Sequence, residues 1–225
     1  MKKTRVIITG VTGMVGEGVL HECLEHPAIE KVLLINRRPS GMQHEKIVEI
    51  VHKDFFDLMS VRSQLEGYDA CFFCLGVTSV GKNEPEYYRQ TYTLTMHVAE
   101  TLSTLNPGMC FCYVSGAGTD SSEKGRLMWA RVKGKTENDL GKLPFRSEYN
   151  FRPGIIKPTK GLSNTHSFYK WFMWLFPVIH AFSPAGFVTM RELGQAMIKV
   201  GLEGYTKRNI EVKDIIALGR KVLVR

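Results

Sequence analysis

The sequence predicts an α/β fold in which a doubly wound parallel β-sheet carries helices on both faces and a small lobe at its C-terminal end. Two observations lead to this fold class. Apolar runs rich in β-branched residues alternate with segments of helical periodicity through about residue 150, an order typical of strand–helix–strand units with parallel strands. The runs are almost continuously apolar, as strands buried on both faces require.

The predicted elements follow one another in a regular order. The strands are expected at 5–9, 31–36, 45–54, 69–76, 109–116 and 148–154. The helices between them are expected at 14–26, 57–65, 84–105 and 123–141, and Pro27 ends the first of these helices. The last third adds a very apolar stretch at 168–182, a helix at 190–204, a short strand and a final helix. We predict a single domain over residues 1–225, in which residues 160–205 form most of the small lobe.

The composition of the 225 residues is that of an ordinary globular protein, with 44% apolar and 23% charged residues. The 30 Lys and Arg residues exceed the 22 Asp and Glu residues by eight, which favours anionic partners such as a phosphorylated cofactor or a membrane surface. The basic residues form no long run, so nucleic acid is not an expected partner. Five cysteines and a start that runs directly into a strand-like segment predict no signal peptide, a reducing compartment and a cytoplasmic location.

The cysteine and histidine positions predict neither a metal site nor a redox pair. Cys71 and Cys74 form a C-x-x-C pair inside a predicted strand. Side chains alternate along a strand, so the two thiols would point to opposite faces. The seven histidines show no spacing typical of metal ligands.

A glycine-rich turn, ITGVTGMVGEG at 8–18, joins the first predicted strand to the first helix. Gly10 permits a tight turn, Gly13 lets the backbone approach a pyrophosphate, and Gly16 lets the helix pack closely on the strand. The amides of the helix N-terminus would then bind the phosphates. This strand–turn–helix context predicts a Rossmann-type dinucleotide site. Its predicted contacts in the turn are Thr9, Gly10, Thr12, Gly13, Met14, Val15 and Gly16.

The end of the second predicted strand favours NADP, with NAD the weaker alternative. NAD sites usually place an acid there for the ribose 2′-hydroxyl, whereas this chain has Asn36, Arg37 and Arg38. Guanidinium groups pair bidentately with phosphate, so the two arginines would suit a 2′-phosphate. The other interpretation is that both arginines are solvated surface residues.

The ends of the third and fourth strands complete the predicted cofactor site. Asp54 ends the third strand, where its carboxylate would accept a hydrogen bond from the adenine amine, with Phe55 packing nearby. Leu75, Gly76 and Val77 end the fourth strand, where a small residue lets the cofactor ribose pass. In open α/β sheets ligands bind beyond the carboxyl ends of the strands, which is where these residues lie.

Four further motifs match a known family. The chain carries LGVT at 75–78, SGA at 115–117, a Lys133-Gly134 pair with Glu137, and FRPG at 151–154. Together with the T-G-x-x-G-x-x-G turn, they resemble short-chain dehydrogenases/reductases of the atypical class, and the nearest group is the HIV Tat-interacting-protein-like branch. The resemblance covers about residues 4–160.

The resemblance implies hydride transfer between a nicotinamide and a carbonyl or alcohol carbon of a small molecule. In that family a serine holds the substrate oxygen, a tyrosine exchanges its proton, and a lysine binds the nicotinamide ribose and lowers the pKa of the tyrosine. Carried over, the serine is Ser115 and the lysine is Lys133. The segment Arg152, Pro153 and Gly154 would pass beside the nicotinamide carboxamide.

The chain departs from this family at one catalytic position. Trp129 stands four residues before Lys133, where the family has its tyrosine. An indole N–H donates a hydrogen bond but does not exchange a proton usefully near neutral pH. Either another group supplies the proton (Tyr88, a water on Ser115 or a residue of the C-terminal lobe), or the protein binds NADP(H) without turnover as a sensor or scaffold, or the indole stacks on the nicotinamide or substrate. The expected function is a reductase- or epimerase-type oxidoreductase with a degenerate site, or else that non-catalytic protein.

The apolar stretch at 168–182 is too short and too interrupted to span a bilayer, which takes about 20 apolar residues. Three roles remain open for it. It could contact a membrane surface peripherally, form a homodimer face or the wall of a substrate site, or pack within the small lobe.

Overall fold

The computed structural model describes residues 3–159 and 186–220. Its main sheet contains β1 Thr4–Thr9, β2 Ile29–Asn36, β3 Ile47–Val51, β4 Ala70–Phe73, β5 Cys110–Val114, β6 Ser147–Arg152 and, further along the chain, β9 Asn209–Glu211. These seven strands are all parallel and lie in the order β3-β2-β1-β4-β5-β6-β9. The order changes direction between β1 and β4, and such a switch point is where open α/β sheets bind ligands.

Helices cover both faces of this sheet, which confirms the predicted doubly wound fold. They are α1 Met14–Glu25, a 3-10 helix Met59–Leu65, α2 Glu84–Tyr88, α3 Leu94–Leu105, α4 Met128–Leu140, α5 Met190–Glu203 and α6 Val212–Arg220. Successive side chains of β1 enter different cores: Val6 and Ile8 pack with residues of α1 and α5, whereas Ile7 packs with residues of α3. The near-continuous apolar runs of the sequence are the consequence of this two-sided burial.

The predicted helix at 84–105 is one continuous helical stretch with an irregular middle. Asn83 begins it by accepting a hydrogen bond from the amide of Glu86 at 2.9 Å. Arg89–Thr93 form a π-helical turn between α2 and α3. Such turns are rare and occur often at functional sites, because the extra residue changes which side chains face a neighbouring cavity.

The helix predicted at 123–141 begins later, at Met128. The carboxylate of Asp120 accepts hydrogen bonds from the amides of Ser122 at 3.0 Å and Gly125 at 2.6 Å. Glu123 has a left-handed φ of 62°. Side-chain bonds of this kind compete with helix formation, so the first five predicted helical residues form a loop instead.

A second, smaller sheet is formed by strands on either side of residues 160–185. β7 Ile155–Lys157 and β8 Phe187–Thr189 pair in a second, two-stranded sheet. Thr189 caps α5 in a reciprocal capping box with Glu192, and α5 packs beside α1 over the sheet. The apolar stretch 168–182 lies outside the described residues, so a small lobe formed mostly by residues 160–205 stays a prediction.

The described residues, 3–159 and 186–220, contain neither a membrane-spanning helix nor a candidate metal cluster. Within these ranges no helix has the length and apolar character needed to cross a bilayer. The same ranges contain no cluster of three His, Cys, Asp or Glu side chains able to hold a metal ion.

Candidate functional site

The glycine turn brings β1, α1 and the end of β4 into close contact. Gly10 has a φ of +76°, a left-handed conformation that favours glycine. A β-carbon at Gly10 would lie 2.8 Å from the carbonyl oxygen of Cys74, and one at Gly16 would overlap the carbonyl oxygen of Gly10. The hydroxyl of Thr9 accepts a hydrogen bond from the amide of Cys74 at 3.2 Å. Larger residues are therefore excluded at Gly10 and Gly16 by the backbone itself.

The N-terminus of α1 is open to a ligand. Gly13 is its N-cap residue, adopts an extended conformation and has no side chain that could cap the helix. The amides of the first turn, at Met14, Val15 and Gly16, precede the first hydrogen bond within the helix, from the amide of Glu17 to the carbonyl of Gly13 at 3.0 Å. Amides in this position bind phosphate and are favoured by the helix dipole.

A cavity of about 620 Å³ is lined by residues that follow β2, β3 and β4. None of residues 8–18 lines it, and the glycine turn approaches it only through Leu75, whose amide nitrogen would lie 2.9 Å from a β-carbon on Gly10. The predicted cofactor residues that line it are Arg37, Asp54, Phe55, Leu75, Gly76 and Val77. Its other walls are formed by Lys53, Phe56, Pro85, Glu86, Arg89, Gln90 and Leu94. The volume falls in the usual range for small-molecule sites, about 300–1,000 Å³. The ends of β2, β3 and β4 therefore meet the long helix around one concave site, as the predicted cofactor position requires.

Two residues predicted at the end of β2 do not face this cavity. Asn36 is buried, and its Nδ2 donates to Oε1 of Glu49 at 2.7 Å. Arg38 is exposed and does not line the cavity, whereas Arg37 does. Of the two arginines in the sequence motif, only one stands where a bound cofactor would be.

Two cations of this cavity, Lys53 and Arg89, are not among the cofactor residues predicted from the sequence, in which Arg89 indicates either a contact with an acidic substrate or a solvated rim residue. Lys53 directly precedes Asp54, a predicted cofactor residue, so its position in the sequence could have indicated that it lies at the same site. Arg89 lies on the π-helical turn, with its guanidinium 5.2 Å from the centre of the Phe56 ring. A guanidinium in this position gains from the ring quadrupole, but the pairing joins residues far apart in sequence and has no local signal.

Ser115, Trp129 and Lys133 each lie near the end of β5. Ser115 follows this strand and is 7% exposed. A β-carbon on Gly116 would lie 3.8 Å from Cζ3 of Trp129, and one on Gly118 would lie 3.6 Å from Cη2. The indole ring thus packs directly against the turn that follows Ser115.

The hydroxyl of Ser115 is held in a defined direction. Thr119 Oγ1 donates to the carbonyl oxygen of Gly116 at 2.8 Å. A hydroxyl has one proton to donate, so the 3.0 Å contact between Ser115 Oγ and Thr119 Oγ1 must use the proton of Ser115. The lone pairs of Ser115 are left to accept a hydrogen bond.

The side chain of Lys133 is half-buried, and its amino group lies against β5. Its Nζ donates to the carbonyl oxygen of Val114 at 3.3 Å and lies 3.4 Å from the hydroxyl of Tyr113. Burial lowers the pKa of Lys133 to about 8, and the negative charge of Glu137 opposes this only in part. No carboxylate within the described ranges forms an ion pair with this amine.

Arg152 is engaged inside the protein. Its guanidinium binds both carboxylate oxygens of Glu137, with Nε 3.0 Å from Oε1, and also contacts Glu211 at 3.1 Å and Ser121 Oγ at 2.6 Å. The carbonyl of Pro153 accepts from the amide of Ala117 at 2.9 Å, which ties this segment to the Ser115 turn. The predicted contact of residues 152–154 with the cofactor stays a prediction.

The two thiols of the C-x-x-C pair lie on opposite sides of the sheet, as predicted. Cys71 belongs to the core on the α3 side, and Cys74 packs against the core on the α1 side. All five cysteines are free thiols.

Known proteins are similar to this chain in both sequence and fold. The model of the NAD dependent epimerase/dehydratase family matches residues 6–126 of the chain. Protein fmp52, mitochondrial, of Emericella nidulans is 25% identical over 206 residues, covering 88% of this chain and 87% of the relative. A UDP-N-acetylglucosamine 4-epimerase from Methanobrevibacter ruminantium M1, in complex with UDP-N-acetylmuramic acid, matches with a TM-score of 0.68 at 16% identity, covering 94% of this chain and 76% of the other. The Bordetella bronchiseptica enzyme WbmF in complex with NAD+ matches with a TM-score of 0.66 at 13% identity, covering 98% and 78%.

The comparison overturns the expected cytoplasmic location. The Emericella relative and its namesakes from other organisms carry the word mitochondrial in their names. The cytoplasmic prediction was wrong because free cysteines indicate only a reducing environment and do not identify a compartment.

Proposed function

The chain belongs to the NAD-dependent epimerase/dehydratase family, and from this premise we propose that it is an NADP(H)-dependent oxidoreductase acting on a carbonyl or hydroxyl carbon of a small molecule. Membership of this family confirms the predicted resemblance to atypical short-chain dehydrogenases/reductases and a nicotinamide dinucleotide as cofactor. The nearer likeness to the HIV Tat-interacting-protein-like branch stays a prediction.

The glycine turn fits a dinucleotide in three respects. Two of its glycines have no space for a β-carbon, the N-terminus of α1 has no side-chain cap, and Leu75, which a β-carbon on Gly10 would touch, lines a cavity of about 620 Å³. In the proposed complex the amides of Met14, Val15 and Gly16 bind the diphosphate. Asp54, Phe55 and the 75–77 segment hold the adenosine half.

The choice of NADP over NAD rests on the charge of this cavity. Arg37, Lys53 and Arg89 line it together with two acids, Asp54 and Glu86, so its cations exceed its anions by one. Asn36 occupies the position where NAD sites usually have an acid. Glu49, the carboxylate nearest to Asn36, already accepts hydrogen bonds from Asn36 and from the amide of Ser40 at 2.8 Å. The cavity therefore offers a 2′-phosphate cationic partners.

The alternative proposal, a non-catalytic NADP(H) sensor or scaffold, is favoured by one observation. Trp129 fills the place of the family's proton-donating tyrosine and packs on the Ser115 turn. Ser115 and Lys133 nevertheless both lie at the end of β5, where the family's chemistry requires them. For this reason the enzymatic function is the one we propose.

The substrate and the compartment are proposals as well. The relatives' names lead us to propose a mitochondrial location. A small-molecule carbonyl or alcohol is the proposed substrate; the similar solved structures include a UDP-N-acetylglucosamine 4-epimerase and a uronate dehydrogenase. Dimerisation or membrane contact through residues 168–182 stays a prediction.

Calorimetry on the full chain tests the cofactor proposal. NADPH is expected to bind at least tenfold more tightly than NADH, since one desolvated charge-assisted contact to phosphate contributes about 1.5–3 kcal/mol. Arg37→Ala should weaken NADPH binding by about tenfold or more and leave NADH unchanged. Arg38→Ala is the matched control, because Arg38 does not line the cavity.

The outcomes separate the two levels of the proposal. Equal binding of NADPH and NADH with no effect of Arg37→Ala would reject NADP preference alone. Absence of binding to either nucleotide would reject the dinucleotide site altogether. Tight NADPH binding without reduction of any carbonyl would favour the sensor over the oxidoreductase.

A further inference from the structure

The proposed oxidoreductase lacks a proton donor at the position where its family keeps one. Reduction of a carbonyl places a proton on the oxygen, and this proton needs a group whose pKa lies near the working pH. The indole N–H of Trp129 cannot supply it. Its ring packs on the 116–118 turn and so occupies space beside Ser115 rather than leaving it to a phenol.

The tyrosines near α4 do not replace the missing phenol. Tyr113 approaches Lys133, but it is 1% exposed, and burial raises its pKa far above the usual value. The hydroxyl of Tyr92 donates to Asp139 at 2.8 Å, and burial followed by this carboxylate raises its pKa. The ring of Tyr88 packs against that of Tyr92 in a tilted arrangement, with 4.6 Å between centroids and 35° between the ring planes. None of these phenols is shown in contact with Ser115.

The hydroxyl of Ser115 is oriented to accept a hydrogen bond. Its proton is donated to Thr119, because the proton of Thr119 goes to the carbonyl of Gly116. Ser115 can therefore orient a substrate hydroxyl, or a carbonyl after rotation of its own hydroxyl. An aliphatic hydroxyl is too weak an acid to complete a reduction alone.

Lys133 has the position and the environment that the reaction needs. Its Nζ lies 3.3 Å from the carbonyl oxygen of Val114, the residue before Ser115. The charged and titratable groups facing it are Tyr113 on β5 and Glu137 one turn further along α4. The carboxylate of Glu137 is bound by Arg152 of β6, so it does not hold the ammonium in an ion pair. The amine thus carries a proton that it can release close to neutral pH.

We propose that the ammonium group of Lys133 is the proton donor of this protein, in place of the missing tyrosine. This inference rests on the proposed oxidoreductase function. A reduced dinucleotide, when bound, would supply the hydride to the carbonyl carbon and would itself be oxidised. The substrate oxygen forms its O–H bond with a proton from Nζ, the N–H electron pair stays on the neutral amine, and water reprotonates that amine. In the direction of alcohol oxidation the neutral amine takes the proton.

Lys133→Arg is the critical variant. Arginine keeps the positive charge and the donors that a cofactor ribose would use, but it does not give up a proton near neutral pH. We expect NADPH binding to stay within about tenfold of wild type by calorimetry, since the charge is retained. Reduction of a panel of aldehydes, ketones and an ortho-quinone should fall by about 10²–10⁴ in kcat. Lys135→Arg, on the exposed side of the same helix, is the matched control and should change neither value.

A measurement without turnover checks the same group. In protein labelled at lysine Cε with ¹³C, the resonance that disappears in Lys133→Arg belongs to Lys133. Its titration should give a pKa near 8, because burial destabilises the ammonium. In wild type, kcat for carbonyl reduction should fall as pH rises through the same value, since the donor loses its proton.

Three results would overturn the inference. Activity of Lys133→Arg equal to wild type would show that another group gives the proton. A Lys133 pKa near the ordinary lysine value, about 10.4, with no fall in kcat from pH 7 to pH 9, would do the same. A wild-type protein that binds NADPH tightly and reduces nothing would reject the inference and leave the cofactor proposal intact, whereas loss of all nucleotide binding would reject the proposed function first.

Discussion

The ion pair between Arg152 and Glu137 offers a quantitative test of how the site is held together. The side chain of Glu137 is 2% exposed and that of Arg152 is 11% exposed. The guanidinium joins both oxygens of Glu137 and also contacts Glu211 and Ser121. The pair therefore connects α4, β6, β9 and the loop that precedes α4.

Arg152→Ala should destabilise the protein strongly. It leaves the carboxylate of Glu137 buried without its main partner, a change that typically costs about 3–5 kcal/mol. For a chain of this size each kcal/mol shifts the melting temperature by about 2–4 °C, so the expected fall is roughly 6–20 °C. Circular dichroism melts and urea titrations measure both quantities.

Two further variants make this reasoning refutable. Arg220→Ala removes a guanidinium that is 69% exposed and pairs with Glu192, and it should cost about 1 kcal/mol or less. Glu137→Leu combined with Arg152→Met replaces both charges by apolar groups and should recover most of the loss. If the melting temperatures of Arg152→Ala and Arg220→Ala agree within error, the buried pair does not contribute several kcal/mol to the stability of the fold.

Three other outcomes are expected. Gly10→Ala should abolish NADPH binding and cost more stability in urea than Gly41→Ala, because both glycines have left-handed φ angles but only Gly10 faces a backbone carbonyl within 3 Å; equal costs would contradict this. Burial raises the pKa of Glu148 to about 7, so its protonated form favours the folded state. This contribution to the free energy of unfolding is complete below the ordinary pKa, about 4.3, and is lost as pH rises through about 7. Glu148→Gln should flatten the resulting dependence of melting temperature on pH. Trp129→Tyr should add a second acid. The fold-loss in kcat caused by Lys133→Arg should therefore be at least about tenfold smaller in the Trp129→Tyr background than in wild type. Equal fold-losses in the two backgrounds would argue against a shared role.

The fold was predictable because its signals are local and periodic. Buried parallel strands must be apolar throughout, and the runs at β1, β2 and β5 show this directly. The boundaries that the sequence missed depend on side-chain contacts. The loop before α4 exists because Asp120 binds backbone amides five residues away, and the π-helical turn at 89–93 leaves no periodic trace that a helix pattern would reveal.

The candidate site was predictable only where the residues that constrain one another belong to a single short sequence motif. The glycine turn is such a motif, since Gly10 and Gly16 constrain each other within one loop. Asn36 and Arg152 were expected to face the cofactor, but their partners, Glu49 and Glu137, lie on neighbouring elements. A sequence identifies a side chain that can donate hydrogen bonds, but it does not show which acceptor lies beside that side chain in the folded protein.

The same buried pair also determines how Lys133 behaves. Glu137 lies one helical turn from Lys133 and raises its pKa, yet the amine still has a pKa of about 8 because burial dominates and Arg152 neutralises the carboxylate. Removing the guanidinium in Arg152→Met should leave Glu137 free to stabilise the ammonium, so the pKa of Lys133 should rise and the fall in kcat should move to higher pH. Glu137→Gln should shift both in the opposite direction. Titration of the ¹³C resonance of Lys133 below the melting temperature of each variant tests this, and an unchanged pKa in both would show that Glu137 and Arg152 have no electrostatic influence on the proposed proton donor.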